Sequence, residues 1–318
     1  MAIVVPRVTL NNCDDDLSIP VIGLGTSSSP RVSPEATKAA IIEAIKVGYR
    51  HFDTASLYGT EQPLGEAIAE ALRLGLINSR DELYITSKLW STSADKDLII
   101  PAIKKSLRNL QLDYLDMYLI HWPLKLSEEA KLPPQKEHVF PLDIKSVWEA
   151  MEECKNLGLT KGIGVSNFTC KNLEELLSIA KIPPAINQVE LNPLWRQKKL
   201  REFCKEKGIH VTAYSPLGAF KTSWGDNRIL ECDILEEIAK AKGKTTAQIS
   251  LRWLYEQGVS MVAKSFNKER MKQNLEIFDW SLTQEESNKI SQLPQTKGLK
   301  VASAFGQHDW LLDLDVEN

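Results

Sequence analysis

Eight short apolar runs, separated by amphipathic stretches, constrain this chain more than any other feature. They are 21–25 (VIGLG), 51–55 (HFDTA), 83–89 (LYITSKL), 117–122 (MYLIHW), 162–166 (GIGVS), 186–191 (INQVEL), 210–215 (HVTAYS) and 260–265 (SMVAKS). Several are almost continuously apolar, the pattern of strands buried on both faces. The stretches between them carry helix punctuation. Ser33-Pro34-Glu35 reads as an N-cap followed by a first-turn proline, and Gly48 follows the end of that helix. Further helices are expected near 62–74, 95–110, 144–157, 170–180, 197–207, 246–257 and 268–277. Gly158, Gly208, Gly243 and Gly258 stand where helices should close. Pro101 lies inside one of these stretches and predicts a kink or a later helix start.

Eight strands, each followed by a helix, fit a (β/α)8 TIM barrel. A doubly wound sheet would show the same alternation, so the count alone does not decide. The 318 residues suit one barrel domain spanning 1–318, since such barrels run to about 250 residues or more as one unit. Two helical stretches, 232–242 and 283–293, are surplus to the eight repeats. Segments 123–142, 217–231 and 294–318 read as long loops, the last at the C-terminus. Segment 6–20, with Asp14, Asp15 and Asp16 in its turn, reads as an N-terminal hairpin closing the barrel bottom.

Charge and cysteine usage remove several classes. A formal charge of −3 gives no case for nucleic acid or an anionic membrane as the main partner. No apolar run is long enough to span a bilayer. No signal peptide is evident at the N-terminus. The five cysteines have irregular spacing and no CxxC, so free thiols in a reducing, cytoplasmic setting are expected. The five histidines show neither HxH nor HExxH, so no metal is expected. His51 and His210 open strands at the end away from the active face and read as structural. GxSxG is absent. Gly23-Leu24-Gly25 and Gly162-Ile163-Gly164 supply only GxG, with Ser28 and Asn167 where a dinucleotide fingerprint would need its third glycine. Those glycines read as sites of tight strand packing.

In a β/α barrel the active site lies at the carboxyl ends of the strands. The polar residues expected there include Asp53, Tyr58, Lys88 and His121. A phenol is a poor acid at neutral pH, with a pKa of about 10. A nearby ammonium favours the phenolate and lowers that value. A carboxylate paired with the lysine keeps it charged and in place. A neutral histidine can hydrogen-bond a carbonyl oxygen and orient it. Together the four would polarise and protonate a carbonyl while another group delivers hydride.

The stretches GYRHFDTASLYGTE (48–61), LDYLDMYLIHWP (112–123), GIGVSNF (162–168) and KSFNKERMKQN (264–274) resemble the aldo-keto reductase family, in order and with its spacing, from the first strand through 293. The resemblance implies hydride transfer from NADPH to an aldehyde or ketone. It makes Tyr58 the general acid, supported by Lys88 and Asp53, with His121 orienting the substrate. It places Ser166, Asn167 and Gln188 on the nicotinamide carboxamide, Tyr214 against the ring and Thr26 near the ribose. Ser215 and Leu217 would line the pyrophosphate. Lys264, Ser265 and Arg270 would hold the 2′-phosphate, with Gln273 (often Glu in the family) and Asn274 near the adenine.

Within the family the sequence is similar to a plant group that includes galacturonate, chalcone and codeinone reductases. D-Galacturonate is the expected substrate, and a secondary-metabolite ketone the alternative. A non-catalytic NADPH-binding subunit that senses redox state is a third reading, against which the complete tetrad argues. Candidate substrate-wall residues are Ser27, Leu57, Trp90, His121, Trp122 and Trp224, with the 123–142 loop and the tail around 301–310. Lys125, Lys221 and Arg228 lie in or beside these loops as possible cations for a uronate. The family suggests a monomer.

Overall fold

The computed structural model describes residues 4–13, 17–219, 225–300 and 304–306. A hairpin of β1 (Arg7–Thr9) and β2 (Ser18–Pro20) precedes the barrel strands β3 (Ile22–Gly25), β4 (His51–Asp53), β5 (Tyr84–Leu89) and β6 (Leu115–Ile120). A second hairpin, β7 (Leu124–Leu126) with β8 (Val139–Pro141), stands on the barrel rim. The barrel then continues through β9 (Thr160–Ser166), β10 (Ile186–Glu190), β11 (His210–Tyr214) and β12 (Ser260–Ala263). All eight barrel strands are parallel, and β12 pairs back to β3 with Met261 opposite Ile22. The closed sheet settles the choice the strand count left open.

The helices are α1 (Pro34–Val47), α2 (Glu61–Arg73), α3 (Lys96–Leu110), α4 (Ile144–Asn156), α5 (Cys170–Ile179), α6 (Lys198–Glu206), α7 (Asp233–Lys242), α8 (Thr246–Glu256), α9 (Lys268–Leu275) and α10 (Gln284–Ser291). The surplus pair, α7 and α10, pack on each other, with Lys242–Glu286 and Lys289–Glu237 ion pairs at 3.0 Å. Ser33 accepts from the Ala36 amide and Pro34 opens α1, as the sequence predicts. Helix α3 starts at Lys96, capped by Asp95, and runs through Pro101. The later start allowed for that proline does not occur. Pro101 falls early in the helix, so the backbone bond it forgoes is one to the first turn, and its ring faces solvent.

Every residue of β5 and β6 is buried, as continuous apolar runs require. The sheet closes tightly because glycines leave room. A Cβ on Gly23 would lie 2.5 Å from His51 Nδ1, and one on Gly164 would lie 2.6 Å from Ile186 O. Gly23, Gly162 and Gly164 therefore serve strand packing, whereas a Cβ on Gly25 would have room. Leu10, Leu17 and Ile19 of the N-terminal hairpin pack on Tyr84, Met117 and Ile186, sealing the amino end of the barrel. His51 and His210 sit at that end. Burial pushes both imidazoles down to about 4, and His210 Nε2 meets Ser260 Oγ at 2.9 Å.

Two expectations need correction. Strand β6 begins and ends two residues earlier than the apolar run suggested, so His121 and Trp122 lie beyond it. Segment 123–142 is not all loop. Leucines 124 and 126 alternate with Lys125 and pair with Val139–Pro141, while Pro133 and Pro134 fall in the connection. Among the described residues no helix is long and apolar enough to cross a membrane.

Candidate active site

Asp53, Tyr58, Lys88 and His121 come together at the carboxyl end of the barrel. Asp53 ends β4, and the backbone then turns through a single 3-10 turn, Ser56–Tyr58, which carries the tyrosine back over the barrel mouth. Lys88 comes from β5 and His121 follows β6. The lysine is fully buried, and its Nζ donates to Asp53 Oδ1 at 2.6 Å and to Thr54 O at 3.0 Å. From across the barrel Gln188 Nε2 donates to the other carboxylate oxygen, Asp53 Oδ2, at 2.8 Å. Lys88 Nζ lies 5.1 Å from the centre of the Tyr58 ring. Tyr58 Oη and His121 Nε2 are 3.3 Å apart, with the rings edge to face. Trp90 meets His121 edge to face, with ring centres 5.3 Å apart.

The environment sets the charge states. Burial pulls the Lys88 ammonium down, but the Asp53 charge, Tyr58 and their hydrogen bonds outweigh it, so its pKa is raised and it stays charged. Burial raises the Tyr58 phenol by more than Lys88 lowers it. This corrects the expectation of a depressed phenol, because desolvation outweighs the cation. Tyr58 therefore rests in its proton-carrying form. Burial, with the Lys88 charge, holds His121 well below the usual imidazole range. A neutral His121 can donate one hydrogen bond without carrying charge.

A cavity of about 710 Å³ opens from the tetrad. Ser166, Asn167, Gln188, Tyr214, Ser215, Leu217, Lys264, Ser265, Arg270, Gln273 and Asn274 all line it. Asn167 adopts a left-handed backbone, φ 65°, a conformation asparagine tolerates better than most residues. Its Nδ2 donates to His121 O at 3.0 Å, and its Oδ1 accepts from Tyr214 Oη at 2.8 Å. Ser166 Oγ donates to Gln188 O at 2.8 Å. These bonds join the ends of β9, β10 and β11 into one shelf beside the tetrad. Further along, Lys264 and Arg270 bracket Ser265, and Asn267 caps α9 by accepting from the Arg270 amide.

Thr26 is the exception in the cofactor set. Its hydroxyl meets Asp53 O at 3.0 Å and Thr60 Oγ1 at 2.7 Å, so it ties β3 to β4 instead of facing the cavity. The start of α8, Thr245 to Ala247, lines the cavity and was not anticipated. Nothing in the strand pattern marks a helix start for that position.

These residues fit a phosphorylated dinucleotide. Amide and hydroxyl groups stand beside the tetrad, a tyrosine ring follows, and two cations flank a serine beyond it, suited to a phosphate. A model described as the aldo/keto reductase family matches residues 21–294. The chain belongs to that family. This aldo/keto reductase is 67% identical to a D-galacturonate reductase of Fragaria ananassa, over 98% of this chain and 99% of that one. It is 54% identical to an NADPH-dependent codeinone reductase of Papaver somniferum, over 92% of this chain and 91% of the relative. Among solved structures, a Bombyx mori aldo-keto reductase in complex with NADP shares its fold at a TM-score of 0.86. The two are 36% identical, over 95% of this chain and 97% of that chain. The chain is accordingly an oxidoreductase acting on carbonyls, in a family whose cofactor is NADPH.

On its substrate side this aldo/keto reductase lines the cavity with Ser27, Leu57, Trp90, His121 and Trp122. Trp224 and Lys221 lie outside the described residues, as do Asp14, Asp15 and Asp16. Leu132, Leu299, Ala304 and Phe305 complete the wall. Phe305 meets Trp122 edge to face at 5.0 Å and packs with Leu124, Leu126 and Val139. Apart from Ser27 and His121 the described wall on this side is apolar and aromatic. Neither Lys125 nor Arg228 lines it. Lys125 is paired with Asp95 at 2.6 Å, and Arg228 with Asp226.

Proposed function

We propose that the chain reduces a carbonyl with Tyr58 as the proton donor, and that D-galacturonate, reduced to L-galactonate, is its substrate. The observation that carries the chemistry is Tyr58 Oη 3.3 Å from His121 Nε2, above a buried Lys88–Asp53 pair. Bound NADPH would supply the hydride, held by Ser166, Asn167 and Gln188 near the tetrad, Tyr214 on the ring, Ser215 and Leu217 along the pyrophosphate, Lys264, Ser265 and Arg270 on the 2′-phosphate, and Gln273 and Asn274 near the adenine. His121 Nε2 orients the carbonyl oxygen beside Tyr58 Oη. The Tyr58 proton passes to that oxygen, and the Lys88 ammonium stabilises the phenolate left behind. Asp53 keeps that ammonium in place.

The substrate assignment rests on the identity shared with the strawberry enzyme, since the open-chain form of D-galacturonate presents an aldehyde. A second reading has its own support. The apolar wall of Trp90, Trp122, Leu132 and Phe305 suits a bulky ketone better than a polyol. NADPH oxidation by the purified protein, tested with D-galacturonate, an aromatic aldehyde, a chalcone-type ketone and a morphinan ketone, separates the two. A preference for D-galacturonate supports the first reading. A preference for a polycyclic ketone replaces it and leaves the chemistry in place. Tyr58→Phe should cost at least about a hundredfold in kcat, with NADPH binding unchanged. Near-normal turnover would remove Tyr58 as the acid.

A further inference from the structure

One buried ionisable group at the barrel mouth has no part in that chemistry. Glu190 ends β10, two residues after Gln188, and is only 4% exposed. Its carboxylate spans two consecutive amides of the C-terminal chain. Oε1 accepts from Gly298 N at 2.9 Å and Oε2 from Leu299 N at 3.0 Å. The approach is so close that a Cβ on Gly298 would lie 2.6 Å from Oε1. These bonds are the last of a series. Arg196 Nη1 donates to Leu293 O at 2.8 Å, Arg196 N to Gln295 Oε1 at 2.6 Å, and Thr296 N to Leu194 O at 2.7 Å. The chain after α10 thus follows the segment after β10 back towards the barrel and meets Glu190 at its end. Beyond that point Leu299 and Phe305 enter the cavity wall, and Phe305 lies against Trp122.

We propose that Glu190 is a positioning residue for substrate selection: its carboxylate fixes Gly298 and Leu299, and so sets where Leu299 stands in the cavity wall on the side closed by Phe305. A carboxylate suits this place because both of its oxygens accept, and the two facing groups are both donors. Glutamine keeps the shape but must turn its NH2 towards one of the amides. The effect should fall on substrates large enough to touch that wall, and not on the tetrad or the dinucleotide. The proposal rests on the reading of this cavity as a carbonyl-reducing site, whereas the clamp itself is tested without turnover.

The experiment compares wild type, Glu190→Gln, Gly298→Ala and the double variant. Amide hydrogen exchange in peptides covering 294–306 should quicken about tenfold in each variant, with β10 itself unchanged. KM for a polycyclic carbonyl, 9,10-phenanthrenequinone, should rise about tenfold, while kcat for glyceraldehyde and Kd for NADPH stay within about twofold. The double variant should be no worse than the worse single one, because both changes break the same contact. Unchanged exchange overturns the clamp. Faster exchange with KM unchanged for the large substrate overturns its role in selection. Equal losses for both substrates and for NADPH, or additive losses in the double variant, overturn it as well. If neither carbonyl is reduced by wild type, the functional reading fails, and the exchange result still decides the clamp.

Discussion

Replacing Lys88 with methionine removes one charge from a buried pair and leaves the side chain's length nearly unchanged. Asp53 then stands at 3% exposure with the Gln188 amide as its remaining side-chain partner among the described bonds, and Thr54 O loses its donor. Breaking a buried pair from one side costs about 3–5 kcal/mol. Asp53→Asn strands the ammonium instead and should cost a similar amount, about 3 kcal/mol. The double variant carries neither charge, and Gln188 can still donate to the new amide oxygen. Its loss should be near 1 kcal/mol, which against single losses of about 3 kcal/mol or more each puts the coupling between the two residues at about 5 kcal/mol or more. Urea unfolding followed by tryptophan fluorescence measures all three. Catalysis should not follow stability. Without the ammonium beside Tyr58 the phenolate has no stabilising charge, so Lys88→Met and the double variant should both lose about a hundred- to a thousandfold in kcat. Stability losses that add to within about 0.5 kcal/mol would refute the buried-pair account. Activity that returned with stability in the double variant would refute the role of Lys88 beside the phenol.

The remaining predictions concern the cofactor and pH. Lys264→Ala and Arg270→Ala should each raise KM for NADPH about ten- to a hundredfold, as the loss of a charge-assisted contact would; equal effects on NADPH and NADH would move the 2′-phosphate elsewhere. His51 and His210 are each held at about 4 in the folded protein, below the unfolded value of about 6.5. The unfolded chain therefore takes up protons first as pH falls. The stability these groups contribute is whole above about pH 6.5 and is lost between there and about pH 4, roughly 2 kcal/mol for each imidazole by pH 5. Urea midpoints at pH 7 and pH 5 test this. His210→Asn should remove about half of the drop, and a flat profile in the wild type would contradict it.

The barrel and its tetrad were legible in the sequence for a physical reason. Strands buried on both faces must be apolar throughout, so polar residues in them stand out: Asp53 and Lys88 at the ends of their runs, and Gln188 inside its own. The same signal misled at β6. The apolar run continues into Trp122, which is buried against Phe305 and not in the sheet. The β7–β8 hairpin was hidden because its strands are three residues each and prolines fill the connection. Thr26 matched a family position, but which way a hydroxyl turns depends on Asp53 O and Thr60, far off in sequence. Glu190 was visible as a polar strand end, yet its partners are more than a hundred residues away. No local pattern announces a contact between a side chain and such distant backbone.

The carboxylate of Asp53 holds Lys88 with one oxygen and Gln188 with the other. In the proposed reaction those partners belong to opposite halves of the event, one beside the proton donor and one beside the hydride donor. A single rigid anion therefore keeps the two deliveries in register. Moving Gln188 would disturb the electrostatics at Tyr58, and altering the proton side would shift the shelf proposed to hold the nicotinamide. Glu190 holds the cavity wall at Gly298 and Leu299 through bonds separate from those of Asp53, so what is reduced can change more freely than how it is reduced.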